Sequence, residues 1–199
     1  MSGFDHNRIG VFEGNFDPIH TGHVASVKAF MEQMKLDYLF VVPRYKGDGR
    51  DAQRVKMCEL AFEDTDGVIV SDSELRGEGR VGLFEIVESL VTPATRVFVL
   101  LGSDELWDFD SSPRFDQLIR MCYPVYVRRE QDPIIEKRIV EKLGEIYGKY
   151  GVMIRRILTE AVQISSSDIR KMIGAGAQIS GLLPASVEYF IKENRLYSE

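Results

Sequence analysis

The ten residues Gly14–His23 (GNFDPIHTGH) separate a short apolar run from an amphipathic one, and they constrain how the chain must begin to fold. Upstream, Arg8 to Glu13 (RIGVFE) reads as a buried strand. Downstream, Val24, Val27, Met31 and Met34 recur at helical spacing. The unit is therefore strand, tight loop, helix. Gly14 and Gly22 permit a sharp turn or a close backbone approach, and Pro18 fixes one φ angle inside the loop. The first helical turn offers unsatisfied N–H groups and the positive end of a dipole, so an anion, most simply a phosphate, is its natural guest. His20 and His23 flank that turn and can donate to phosphate oxygens. A zinc site would need three or four ligands. The only other histidine is His6, and the cysteines are scattered, so no metal is assigned to protein ligands.

The rest of the chain alternates in the same way. Tyr38 to Val42 reads as a buried strand ended by Pro43, followed by a polar loop. Arg44, Lys46, Arg50 and Arg54 make this the most basic stretch of the first half. Each alone reads as a solvated side chain. As a group beside a phosphate site they supply compensating charge, and Lys46 and Arg54 are taken as substrate-binding candidates. A helix is expected over Ala52 to Glu63, a strand over Val68 to Val70, a loop through SDSELRGEGRVG and a helix over Leu83 to Leu90. Gly77, Gly79 and Gly82 spell GxGxxG, but a dinucleotide fingerprint should directly follow a buried strand in the first βα turn. That turn is already occupied, so a loop is expected. Arg96 to Leu101 is the most strand-like run and ends in Gly102-Ser103-Asp104. A carboxylate there, just past a central strand, could accept hydrogen bonds from a ribose or could cap the next turn. Trp107 reads as core first and pocket wall second. Pro124 to Val127 is a strand leading into Arg128, a further substrate-binding candidate. Pro133 to Tyr147 is an outer amphipathic helix, and Val152 to Leu158 a last strand. This alternation implies an α/β fold, a single domain over residues 1–199, with a doubly wound, mostly parallel sheet covered by helices on both faces.

A second signature lies at QISSSDIRKMIGAG. Ser165, Ser166 and Ser167 supply hydroxyls before a helix expected to start near Asp168, and Arg170 falls in its first turn. Hydroxyls, free N–H groups and a guanidinium at one helix end can hold a second anionic group. Plain N-capping explains the serines equally well when they are taken alone.

Bulk properties set the limits. The 199 residues carry a formal net charge of −6 and 44% hydrophobic content, ordinary for one globular domain. The acidic balance argues against a nucleic-acid partner. No run is long enough to span a bilayer, and Cys58 and Cys122 read as buried thiols in a reducing compartment, so a cytoplasmic protein without a membrane partner is expected.

Together the two signatures resemble the HxGH and ISSTxIR motifs of the nucleotidylyltransferase superfamily, and the fuller FDPIHTGH form is similar to that of the bacterial nicotinate-nucleotide adenylyltransferases. The closing LLPASVEYFIKENRLY resembles their last helix, so the likeness spans essentially the whole chain. The resemblance implies a Rossmann-like fold and transfer of AMP from ATP to nicotinate or nicotinamide mononucleotide. It implies catalytic roles for His20, His23 and Arg170. It places ATP against Gly14, Asn15, Phe16, Gly22, Gly102, Asp104, Ser166, Ser167 and Arg170. It places the acceptor near Lys46, Arg54, Trp107 and Arg128. Mg²⁺ would be held mainly through the phosphates. Several residues depart from the family pattern. Glu13 stands where a second glycine is usual. Val81, Gly82, Leu83 and Ser112 replace residues that cradle the pyridine ring. Another phosphorylated acceptor, such as phosphopantetheine or an alcohol phosphate taking CMP, and a catalytically silent nucleotide sensor therefore stay open, as does a homo-oligomer.

Overall fold

The computed structural model describes residues 7–112, 114–127, 133–159 and 164–198, with the backbone alone at 103 and 104. The first half runs β1 (Asn7–Gly14), α1 (Thr21–Met34), β2 (Tyr38–Pro43), α2 (Asp51–Phe62) and β3 (Val68–Val70). After it come α3 (Ser73–Arg76), α4 (Leu83–Leu90), β4 (Thr95–Gly102), α5 (Ser103–Leu106), a 3₁₀ turn (Phe109–Ser111) and α6 (Phe115–Met121). The chain closes with β5 (Cys122–Val127), α7 (Pro133–Tyr150), β6 (Arg155–Ile157), α8 (Ser166–Gly174) and α9 (Ala185–Glu193).

The sheet order is β3-β2-β1-β4-β5-β6, and every pairing is parallel. This is the doubly wound arrangement expected from the alternation of strands and helices. The chain reverses its direction of travel across the sheet between β1 and β4. A crevice therefore opens beyond their carboxyl ends, where such sheets take ligands.

Side-chain alternation feeds two cores. Val11 faces one and Phe12 the other; Leu101 and Leu100 divide likewise. The first core is closed by α1, α2, α8 and α9, through Val27, Phe30, Met57, Ile169 and Ile191. The second is closed by α4, α6 and α7, through Val87, Leu118, Ile139 and Ile146. Each such side chain, when fully buried, contributes about 1.5–3 kcal/mol of transfer free energy. Cys58 and Cys122 are buried, free thiols, and burial pushes the Cys122 thiol up to about 12. Among the described residues no helix is long and apolar enough to cross a membrane.

Some expected boundaries move. The loop around Ser71–Gly82 contains the short helix α3, built on only four residues and so too brief to show periodicity. The last strand shrinks to Arg155–Ile157 because only this stretch has a partner on β5. α8 begins at Ser166, two residues ahead of Asp168, because the Ser165 hydroxyl caps it.

Candidate active site

The β1–α1 loop is shaped by a residue that its composition does not advertise. Its left-handed backbone position is Phe16, at φ 43°, and neither Gly14 nor Gly22 has a positive φ. Such a conformation costs a non-glycine residue about 1–2 kcal/mol. Burial offsets it, since Phe16 is 1% exposed and its ring meets Phe12 and His23 edge-on at 5.2 and 5.1 Å. Gly14 is required by close approach: a Cβ there would lie 2.9 Å from the Phe16 ring. Glycine at 14 and the folded-over Phe16 thus form one device that holds the loop against the end of β1.

α1 starts at its two histidines. The His20 backbone N–H donates to Nδ1 of His23 at 3.2 Å. With Nδ1 accepting, a neutral His23 carries its proton on Nε2. The imidazoles stack with centroids 3.7 Å apart. His23 lines the cleft beyond β1, whereas His20 is 1% exposed and sits against His23 without lining it.

The serine signature arrives at the same place. The Ser166 hydroxyl donates to the Pro18 carbonyl at 2.9 Å, and Arg170 donates to the Asp17 carbonyl. Asp17 itself is 3% exposed and works as a tie point. The Tyr197 hydroxyl donates to its Oδ1 at 2.6 Å, while Arg170 and Arg50 lie 3.8 and 4.0 Å from its Oδ2. Burial and the Asp17 carboxylate both push the Tyr197 phenol well above its usual range, so it stays a donor. α8 is anchored by a reciprocal cap, with Ser165 Oγ accepting from the Asp168 N–H at 3.1 Å and Asp168 accepting from the serine.

These pieces enclose a cleft of about 300 Å³. Gly14, Asn15, Phe16, His23, Lys46, Gly102, Ser166, Ser167 and Arg170, all named from the sequence, line it. Gly22 instead lies in the first turn of α1, where its carbonyl accepts from Ser26. The side chain of Asp104 and all of Arg128 lie outside the described residues.

Two expected substrate contacts are structural. Arg54 is 0% exposed and bound to Asp48 and Asp51, which in turn tie down the Lys46–Asp51 turn. A guanidinium so enclosed cannot reach a ligand. Trp107 packs on the second core with Arg138 over its ring at 4.8 Å, and it lines neither cavity.

Other residues matter that the sequence reading did not single out as a unit. Arg44 bridges Glu13 at 2.8 Å and Glu105 at 3.0 Å across the mouth of the sheet. Burial disfavours the Arg44 cation, but Glu13 and Glu105 outweigh that effect and raise its pKa. Behind Glu13, Glu74 is 5% exposed and accepts from the Tyr45 N–H. Burial first, and then the neighbouring Glu13 carboxylate, push the Glu74 carboxyl up to about 8. A signal for Glu105 did exist: glycine followed three residues later by Glu at a helix start is a capping pattern, and the Gly102 N–H donates to Glu105 at 2.9 Å.

Comparison with known proteins agrees with this geometry. Residues 11–172 match the cytidylyltransferase-like family. A protein of Clostridium botulinum described as a probable nicotinate-nucleotide adenylyltransferase is 30% identical, over 96% of this chain and 98% of its own length. A Thermoanaerobacter protein with the same description is 31% identical, over 96% and 95%. Among solved structures, the Plasmodium falciparum nicotinic acid mononucleotide adenylyltransferase superposes with a TM-score of 0.73 at 20% identity, covering 96% of this chain and 98% of that one. The crossed-over parallel sheet and the meeting of the two signatures thus have a shared origin: the chain belongs to the cytidylyltransferase-like family, among the nicotinate-nucleotide adenylyltransferases.

Proposed function

We propose that the protein transfers the adenylyl group of ATP to the phosphate of a pyridine mononucleotide, releasing pyrophosphate and forming a dinucleotide of the NAD type. The observation that carries this reading is the convergence of His23, Ser166, Ser167 and Arg170 on one cleft at the switch point of the sheet. The relatives' names and a Plasmodium falciparum structure complexed with NaAD support the same activity.

In this mechanism an acceptor phosphate oxygen attacks the α-phosphorus in line. The bond from that phosphorus to the β-bridging oxygen breaks, and its electron pair leaves with pyrophosphate. The nucleophile is already an anion, so positioning and charge stabilisation supply the catalysis. His23, donating from Nε2, is aimed at the charge that develops on the reacting phosphate. His20 stacks behind it and hands its backbone N–H to Nδ1, which fixes the useful tautomer. Ser166, Ser167 and Arg170 receive the β and γ groups. Gly102 and Asp104 are assigned to the adenosine ribose, and Lys46 at the cleft wall balances phosphate charge.

Among the described residues no three His, Cys, Asp or Glu side chains are grouped as a metal cage. A Mg²⁺ entering with ATP would be held mainly by phosphate oxygens and water, where it would neutralise charge. The reducing cytoplasm suits the two buried thiols and the supply of ATP.

The test is pyrophosphate release from ATP and Mg²⁺ with a panel of phosphorylated acceptors: both pyridine mononucleotides, phosphopantetheine and an alcohol phosphate. Release only with a pyridine mononucleotide is expected. Release only with another acceptor, or ATP binding with no release for any of them, would reject the reading.

A further inference from the structure

A second cavity of about 430 Å³ adjoins the phosphate cleft across a shared wall of Glu13, Arg44 and Glu105, and its lining is acidic. Three carboxyl groups gather round the one guanidinium of that wall. Arg44 donates to Oε2 of Glu13 from Nε and Nη2 at 3.0 and 2.8 Å, and its Nη2 lies 3.0 Å from Oε1 of Glu105. Glu105 in turn accepts from the Gly102 N–H at the floor of the cleft. The third carboxyl group is Glu74 of α3, which is buried behind Glu13 and lines neither space. We propose that Glu74 is a positioning residue for the nucleotide: it keeps a proton shared with Glu13, which leaves the Arg44 bridge intact and spares the cleft an added negative charge when ATP enters. The inference rests on the adenylyl-transfer reading and gives a residue outside the cleft a part in it.

The surroundings of Glu74 call for that proton. Its Oε2 accepts from the Tyr45 N–H at 2.8 Å. Its Oε1 is buried and meets no donor among the described residues, and the side chain beside it is the Glu13 carboxyl. Ionised carboxylates only accept, so this contact closes as a hydrogen bond when one of the two groups is protonated. Arg44 sits on Glu13 and favours its ionised form, so the proton belongs to Glu74. Burial, and then the Glu13 charge, hold it there; the Tyr45 N–H and the Arg44 charge pull the other way without prevailing. On the neighbouring turn Asp72 and Arg76 pair with each other at the surface at 2.7 Å, and the Tyr45 ring lies against Gly79. Ionising Glu74 would set two like charges on one side of Arg44, next to a cleft that receives a polyanion. The proton and ATP are therefore linked, and each raises the affinity for the other by the same factor.

The experiment titrates ATP and Mg²⁺ calorimetrically across the range where Glu74, pushed up to about 8, gives up its proton. Buffers of different ionisation enthalpy report how many protons are taken up on binding. ATP affinity should fall about fivefold or more on the alkaline side, with proton uptake near the midpoint. Glu74→Gln keeps the size of the side chain and a donor for Glu13 but cannot ionise, so the profile should flatten and the uptake vanish. Glu13→Gln removes the like charge that helps to hold the proton, so the fall in affinity should move to lower pH. The KM for ATP should follow these profiles while kcat does not. Thermal melts show whether the variants fold; if either does not, uptake by the wild type decides alone, and none rejects the inference. A wild-type affinity that stays flat, or one that falls equally in Glu74→Gln, overturns the inference and leaves adenylyl transfer standing. Absence of ATP binding at every pH overturns both.

Discussion

The phosphate cleft and the adjoining acidic cavity share a wall but are built on opposite plans. The cleft is made mainly from two contiguous runs, 14–23 and 165–170, whose patterns span residues three to five positions apart. The cavity gathers Glu13, Arg44, Glu85, Glu105, Asp108 and Arg114 from six separate elements or loops, and their pairing exists only in three dimensions. Its cations are held by its own carboxylates; in the cleft Arg170 is tied to Asp17, and Lys46 lines the wall. The lesson is that a signature can be written locally while the pairing of charges is written across the fold.

The comparison can be broken most forcefully at Arg54, a basic residue that belongs to neither region. Arg54→Leu leaves Asp48 and Asp51 without their buried partner and should cost about 3–5 kcal/mol of stability by urea denaturation. The KM values of the remaining folded protein should change little. A selective loss of substrate affinity at normal stability would return Arg54 to the binding site.

Next comes His23→Ala. Removing a preorganised donor should reduce turnover about a hundredfold to a thousandfold, a barrier increase of about 2.7–4 kcal/mol. Pyrophosphate release measures it, and circular dichroism should show the fold retained. Near-normal turnover would take the cleft's chemistry away from α1.

Glu74 sharpens the cavity side. Between its ordinary value of 4.5 and about 8, the folded chain keeps a proton that the unfolded chain has released. Stability should therefore fall as pH rises through that window, and this contribution is spent above about 8. Thermal melts from pH 6 to 9 should show the decline in the wild type and a flatter profile in Glu74→Gln. Parallel profiles would show that the Glu13–Glu74 contact does not govern the proton.

The smallest effect is expected at Tyr197→Phe. Asp17 loses one hydrogen bond but keeps Arg170 and Arg50 nearby, so the loss should be about 1 kcal/mol in a denaturation midpoint. A KM for ATP that rises more than stability falls would show that Tyr197 also sets the position of Arg170.

Read residue by residue, the sequence was most legible where function and local structure coincide. His23, Ser166 and Arg170 each sit in the opening turns of a helix and line one cleft, so short-range pattern sufficed to bring them together as candidates. Phe16 was not legible, because its left-handed backbone is sustained by ring packing against Phe12 and His23. Arg54 looked like its basic neighbours, and only its enclosure by Asp48 and Asp51 distinguishes it. Trp107 reads as core first, and it packs partly buried on the second core with Arg138 over its ring.

The amino-acid order alone determined the alternating parallel fold and the two helix starts that meet at the cleft, because periodicity, capping and glycine placement act over a few residues. The tertiary structure decided which charges remain available to a ligand. Electrostatic pairing depends on distance through space, and Glu13, Arg44 and Glu105 become neighbours only when β1, β2 and β4 lie side by side.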